Sequence, residues 1–334
     1  MSLWIWIGFI ALILCLMGLD LFVLNRKAHE IRTREALAWT VMFIILALGF
    51  NVVVYFMYDR HWLGVGEHVG QTLSGKDAAL RYFTGWVVEY SLSLDNIFVF
   101  AVIFQYFSVP PIYQHRVLFW GILGALLMRG IMIGAGAVLI QRFSWIIYVF
   151  GGLLIVTAIK MLLTQHDQIE PGRNPLVRLA RRLYPVTSHF EGERFFVRVD
   201  GRRVITPLFL VLLVVESTDV LFAVDSIPAI FAITTDPFLI FTSNVFAILG
   251  LRSLYFALAG MMRQFKYLKF SLVFVLAYVG VKMIAGHALK TPENPEPIPT
   301  GFSLAVIAVT LATGILASVA APKRGRSALD ENAQ

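Results

Sequence analysis

Apolar residues fill most of this chain in runs of about 20, the length of a bilayer-crossing helix, and no run alternates with the period of two that a membrane barrel requires. Nine helical spans are predicted, at about 3–24, 36–58, 81–107, 117–140, 144–163, 204–232, 237–261, 268–286 and 301–321. Two of these runs are interrupted by polar residues. Val87–Phe100 (VVEYSLSLDNIFVF) contains Glu89, Asp95 and Asn96, while Val214–Ile230 (VVESTDVLFAVDSIPAI) contains Glu216, Asp219, Asp225 and Pro228. A charge at the bilayer centre costs roughly 2.5–3.5 kcal/mol on insertion scales, so acids kept there mark a site.

Composition supports the same reading. Of 334 residues, 58% are hydrophobic and 15% charged, and the mean hydropathy is +0.75. A soluble domain carries about 25% charged residues, so the fold class expected is an all-α integral membrane protein. The single cysteine, Cys15, excludes a disulfide within the chain. Met1-Ser2 runs straight into apolar sequence without a basic n-region or a small-x-small cleavage site, so the first span is expected to be retained.

The net charge of +7 matters through its distribution. Nineteen Lys and Arg residues fall in the loops on one side, among them Arg26, Arg116, Arg178, Arg203 and Lys269. The other side holds five: Arg60, Lys76, Arg81, Arg142 and Lys290. The positive-inside rule then places the N-terminus outside and the C-terminus in the cytoplasm of a bacterial inner membrane, as an odd number of spans demands. Within the basic loop 164–203, Pro175–Tyr184 sets Leu176, Leu179 and Leu183 on one face and arginines on another, which predicts a short helix on the membrane surface. Asp200-Gly201, between β-prone runs, predicts a two-residue hairpin. Pro292–Pro299 reads as a stiff linker.

The polar punctuation repeats. Ser93-Leu-Asp95 matches Ser217-Thr-Asp219 at an offset of 124; Arg129 with Gly136 matches Arg252 with Gly260; Lys160-Met161 matches Lys282-Met283. Three spans followed by their copy enter the membrane from opposite sides, which is an inverted-topology repeat with its site expected near the midplane. The organisation is therefore two accessory spans (1–58), repeat one (81–163), the basic loop (164–203), repeat two (204–286), a ninth span (301–321) and a cytoplasmic tail (322–334).

Helical geometry sorts the polar residues. Glu89, Ser93 and Asn96 share a face, with Asp95 off it; Glu216 and Asp219 share another. Asp225 lies about 240° around from Asp219 and converges with it only if Pro228 opens the helix by removing a donor and clashing with the carbonyl of Val224. Carboxylates, amides and hydroxyls are oxygen donors suited to Mg, Ca or Mn rather than Zn or Cu. Such a metal site lined by Glu89, Asp95, Glu216, Asp219 and Asp225 would have Asn96, Ser226 and Asn244 as supplementary donors, and metal binding there would release protons. Pairing with the span bases is the plainer alternative: Arg129, Lys160, Arg252 and Lys282 form a supporting charge network that could act as fold glue. Both lysines are expected near the cytoplasmic ends of their spans, able to snorkel. Asn244 serves equally as a helix–helix hydrogen bonder, and Asp20, beside Asn25 and Arg26, reads as an interfacial charge or a vestibule residue.

At Glu89-Tyr-Ser-Leu-Ser-Leu-Asp95-Asn96, at Glu216-Ser-Thr-Asp219 through Asp225-Ser226-Ile-Pro228, and at Asn244 with Leu249-Gly250-Leu251-Arg252, the chain resembles the TerC family of tellurium-resistance-type membrane proteins, most closely its alkali-induced Alx-type branch. The resemblance implies manganese homeostasis by Mn²⁺ export, with links to tellurite resistance and pH stress. The partners expected are a divalent metal ion as cargo and the lipid bilayer, with room for a homo-oligomer; no prosthetic group and no nucleic acid are expected. Calcium–proton exchange and a non-transporting scaffold in stress response are the alternatives. An enzyme is disfavoured, since no HExxH pair, Gly-x-Ser-x-Gly elbow or P-loop is present.

Overall fold

The computed structural model describes residues 3–19, 33–66, 73–163, 174–199, 201–258, 267–291, 294 and 296–320. Asp20, Asn25, Arg26, Asp200, Gly260 and the tail 322–334 lie outside these. The described residues form an all-α bundle with one small hairpin. In chain order the helices are α1 (Leu3–Leu19), α2 (Thr33–Asp59), α3 (Gly75–Tyr106), α4 (Pro111–Arg142), α5 (Ile146–Leu163) and α6 (Pro175–Leu183), then α7 (Pro207–Phe231), α8 (Pro237–Leu249), α9 (Leu251–Leu258), α10 (Leu268–Ala288) and α11 (Thr300–Ala320). Among the described residues, eight stretches are long and apolar enough to cross a membrane, α8 and α9 counting as one through Gly250. The first expected span is the shorter apolar helix α1, with 17 described residues.

Local chemistry sets the helix starts. Ser74 caps α3, its hydroxyl accepting from the backbone N–H of Asp77 at 3.1 Å and donating to the Asp77 carboxylate at 2.7 Å. Asp236 caps α8 through the N–H groups of Phe238 and Leu239, and its other oxygen accepts from the buried Tyr58 hydroxyl at 2.7 Å. Proline occupies the first turn of α4, α6, α7 and α8, where its missing donor is not needed.

The α8–α9 stretch is the axis, with 94% of its apolar window buried, against 22% for α2 at the periphery. Around it α3 packs on α8, α4 on α7, and α5 on α10. Glycines set the close approaches, as small residues do where backbones meet in lipid. Gly85 in α3 lies against Ser243 in α8, Gly121 in α4 against Val215 in α7, and Gly151 in α5 against Gly280 in α10. Tyr148, near the start of α5, stacks edge-on with His287, in the last turn of α10. These two helices therefore run antiparallel.

That direction corrects one expectation. Lys160 is three residues from the C-terminus of α5 and Lys282 six from the C-terminus of α10, so the antiparallel pairing displaces them toward opposite faces of the membrane instead of setting both at one face. The basic loop forms both expected elements. Strands β1 (Phe196–Val199) and β2 (Arg202–Ile205) pair antiparallel with Val199 opposite Arg202 and Gly201 at a φ of 76°. Helix α6 buries Val177 and Ala180 and leaves Leu176, Leu179 and Leu183 exposed.

Candidate functional site

Arg129, midway along α4, is the largest fully buried side chain among the described residues, at 1% exposure. Four partners from three other helices surround it. Its guanidinium donates through Nη1 to a carboxylate oxygen of Glu89 in α3. Nε and Nη2 reach the two oxygens of Asp219 in α7 at 3.4 and 3.2 Å. Nη1 also donates to Ser226 of α7 at 3.3 Å and to Asn244 Oδ1 of α8 at 3.2 Å. A buried guanidinium is tolerated because its planar fork can be fully used by carboxylates.

The sequence positions each group through helical spacing. Glu89 lies one turn beyond Gly85, the point where α3 presses on α8, and so emerges beside Asn244. Glu89, Ser93 and Asn96 are all buried while Asp95 is half-buried, as one face of α3 requires. Asp219 and Ser226 are seven apart on α7, two turns along one face. The cluster is not fully satisfied. Glu89 Oε2, Ser93 Oγ and Asn244 Nδ2 are buried without a hydrogen-bond partner, whereas the great majority of buried side-chain polar atoms are paired. Beside Asp219 and Arg252 there is a void of only about 10 Å³.

The other predicted acids stand apart from this cluster. Glu216, half-buried on α7, lies flat against Gly124 of α4, where any β-carbon would overlap its carboxylate. Ser217 beside it accepts from the Asn174 amide, at the cap of α6, at 2.7 Å. Asp225 accepts from the Thr157 hydroxyl of α5 at 2.7 Å and lies within the field of Lys160. The expected opening of α7 is absent, since the helix continues through Pro228 to Phe231. With Pro228 in the last turn, few of the helix's hydrogen bonds are at stake, and Asp225 stays on the α5 side. No group of three or more His, Cys, Asp or Glu side chains that could hold a metal ion is present among the described residues. The central site instead combines two carboxylates with neutral oxygens from Ser226 and Asn244.

Of the bases read as support, Arg129 proves to be the hub and Arg252 is buried nearby, whereas Lys160 acts on Asp225 and Lys282 lines a separate cavity. Thr157 and Gly124 carried no recognisable signal, since both are small residues in apolar runs.

Three kinds of relative place this architecture. Residues 74–326 match the family described as integral membrane protein TerC. A membrane protein of Myxococcus xanthus, STKORF319, is 48% identical over 315 residues, covering 94% of this chain and 92% of its own. Proteins described as candidate membrane-bound redox modulators, named Alx, are 42% identical in Salmonella typhi (92% of each chain) and 44% identical in Escherichia coli K12 (84% and 85%). No solved structure matches the chain.

Proposed function

The chain belongs to the TerC family of integral membrane proteins, and we propose that it exports a divalent cation, Mn²⁺ in preference, from the cytoplasm through a carboxylate site at the middle of the bundle. The observation that carries this reading is the convergence of oxygen donors from three helices on one buried positive charge. Glu89, Asp219, Ser226 and Asn244 all face the Arg129 guanidinium, and Glu89 keeps one oxygen with no donor. This donor set suits a hard cation. A passing ion would take over oxygens that Arg129 now holds, so Arg129 acts as a tethered counter-cation that closes the path when no metal is in it.

The remaining acids then act in series along α7 rather than in one cage. Glu216, Asp219 and Asp225 span nine residues, about 13.5 Å of helix rise. Asp95 flanks the centre from α3. Driving force comes from protons or from the membrane potential. In this reading the N-terminus lies outside and the basic loop in the cytoplasm of a bacterial inner membrane. The helix pairing supports the two inverted repeats. Exchanging α3 with α7, α4 with α8 and α5 with α10 turns the α3–α8 contact into the α4–α7 contact and leaves α5–α10 unchanged.

A non-transporting scaffold is favoured by one specific observation, that Arg129 already neutralises one acid and binds both. Redox modulation, the role named for the Alx relatives, finds no dithiol here, because Cys15 is the only cysteine. The test is cellular manganese content after a Mn²⁺ load. Cells carrying Glu89→Gln or Asp219→Asn should retain the metal as cells lacking the protein do. Clearance equal to that of the parent would refute the site.

A further inference from the structure

A second polar cavity, of about 210 Å³, opens at the end of the molecule where α3, α5 and α11 begin and α7 and α10 finish. Its walls carry Arg81, Lys282, His287 and Lys290, with Glu296 as their acid and Thr234 and Thr235 as hydroxyls. Lys282 is only 8% exposed, and its charged neighbours are Glu296 and Arg81.

Glu296 is already committed. One of its oxygens accepts from Arg81 at 3.0 Å; the other accepts from the Thr300 N–H at 3.1 Å and the Thr300 hydroxyl at 2.6 Å. Among the described residues the Lys282 ammonium has no hydrogen-bond acceptor, and it lines a cavity of about 210 Å³, far larger than the roughly 30 Å³ share of one water. A buried ammonium without a paired anion is costly. Among the described residues of the lining, three basic side chains and a histidine face one acid, an excess of positive charge. Thr234 accepts from the Asp236 N–H and keeps its own proton to donate.

We infer that this cavity is a binding site for a small oxyanion of the phosphate class, held by Lys282 at its base, Lys290 at its rim and the threonine hydroxyls. The oxyanion comes either as a free ion or as the headgroup of an anionic phospholipid. Lysine binds phosphate as a point charge, which suits a ligand that enters from the bilayer edge or from water. The assignment does not depend on cation export.

The test uses the purified full-length protein. Radiolabelled inorganic phosphate should bind saturably in detergent, or else phosphatidylglycerol should be retained over phosphatidylcholine in nanodiscs. The first result identifies a free ion and the second a headgroup. In either arm Lys282→Met should weaken binding more than tenfold, and Lys282→Arg should restore it to within threefold. Lys76→Met, a basic residue at the same end but outside the cavity, should bind as the parent does. If Lys282→Met fails to fold, Lys290→Met carries the test, with a loss of several-fold expected. Binding in neither arm, or binding unaffected by Lys282→Met and Lys290→Met, overturns the site.

Discussion

Arg129 and Asp219 meet side-on, Nε to Oδ2 at 3.4 Å and Nη2 to Oδ1 at 3.2 Å, on neighbouring helices and almost wholly buried. This two-point contact ties α4 to α7, and the same guanidinium ties both to α3 and α8. Replacing Arg129 by Met leaves Glu89 and Asp219 as adjacent buried carboxylates. Breaking a buried pair from one side costs about 3–5 kcal/mol. The Met variant should unfold at markedly lower temperature in detergent, and Lys at this position should recover only part of the loss, because an ammonium cannot match the fork. Equal melting of Met, Lys and parent proteins would show that the cluster contributes nothing to the fold.

The spacing along α3 is enough to read which of its polar residues face inward, whereas on α7 Glu216 shares a face with Asp219 by spacing and yet is only half-buried. Glu89, Ser93 and Asn96 fall three and four residues apart, and all three are buried. Partner choice is a different matter. Whether Asp225 meets Asp219 or Thr157 depends on which helix packs beside α7, and Thr157 in an apolar run announces nothing. Pro228 misleads for a related reason. Proline removes only the bond to the Val224 carbonyl, and α7 stays helical through it and ends three residues later, so the turn that carries Asp225 does not unwind. The end of the membrane that Lys282 occupies follows from the antiparallel pairing of α5 and α10, which the matching Lys-Met pairs imply once the repeat is inverted.

Gly124→Ala tests the seat of Glu216. A β-carbon at this position overlaps the carboxylate, which can swing away because it ends a flexible side chain. Stability should change by less than about 1 kcal/mol, since Ala also favours the helix by a similar amount, while export slows. Gly134→Ala, on the same helix in open space, should leave export unchanged. Equal export by the two variants would remove Glu216 from the path.

Gly280→Ala addresses the α5–α10 crossing. There the obstruction is the Gly151 carbonyl at 2.8 Å, which cannot rotate away. The two helices must separate, at about 1–3 kcal/mol for overpacking. Thermal unfolding should register this loss, and Gly152→Ala, with nothing near its β-carbon, should not show it.

Thr157→Val removes the donor that holds Asp225. A lost hydrogen bond to a charged group is worth about 1.5–3 kcal/mol. Thr157→Ser should retain the contact and the stability. If Val and Ser variants melt alike, Asp225 is held by something other than this hydroxyl.

The central claim is that Glu89 and Asp219 bind the ion that crosses. Uptake of radiolabelled Mn²⁺ into proteoliposomes of the purified protein, with Mg²⁺, Ca²⁺ and Zn²⁺ as competitors, tests it most directly. The parent should move Mn²⁺ at a rate that Glu89→Gln and Asp219→Asn each lower to that of empty liposomes, with the variants still folded and inserted. Flux by folded variants equal to that of the parent, or no divalent flux by the parent at all, would contradict it.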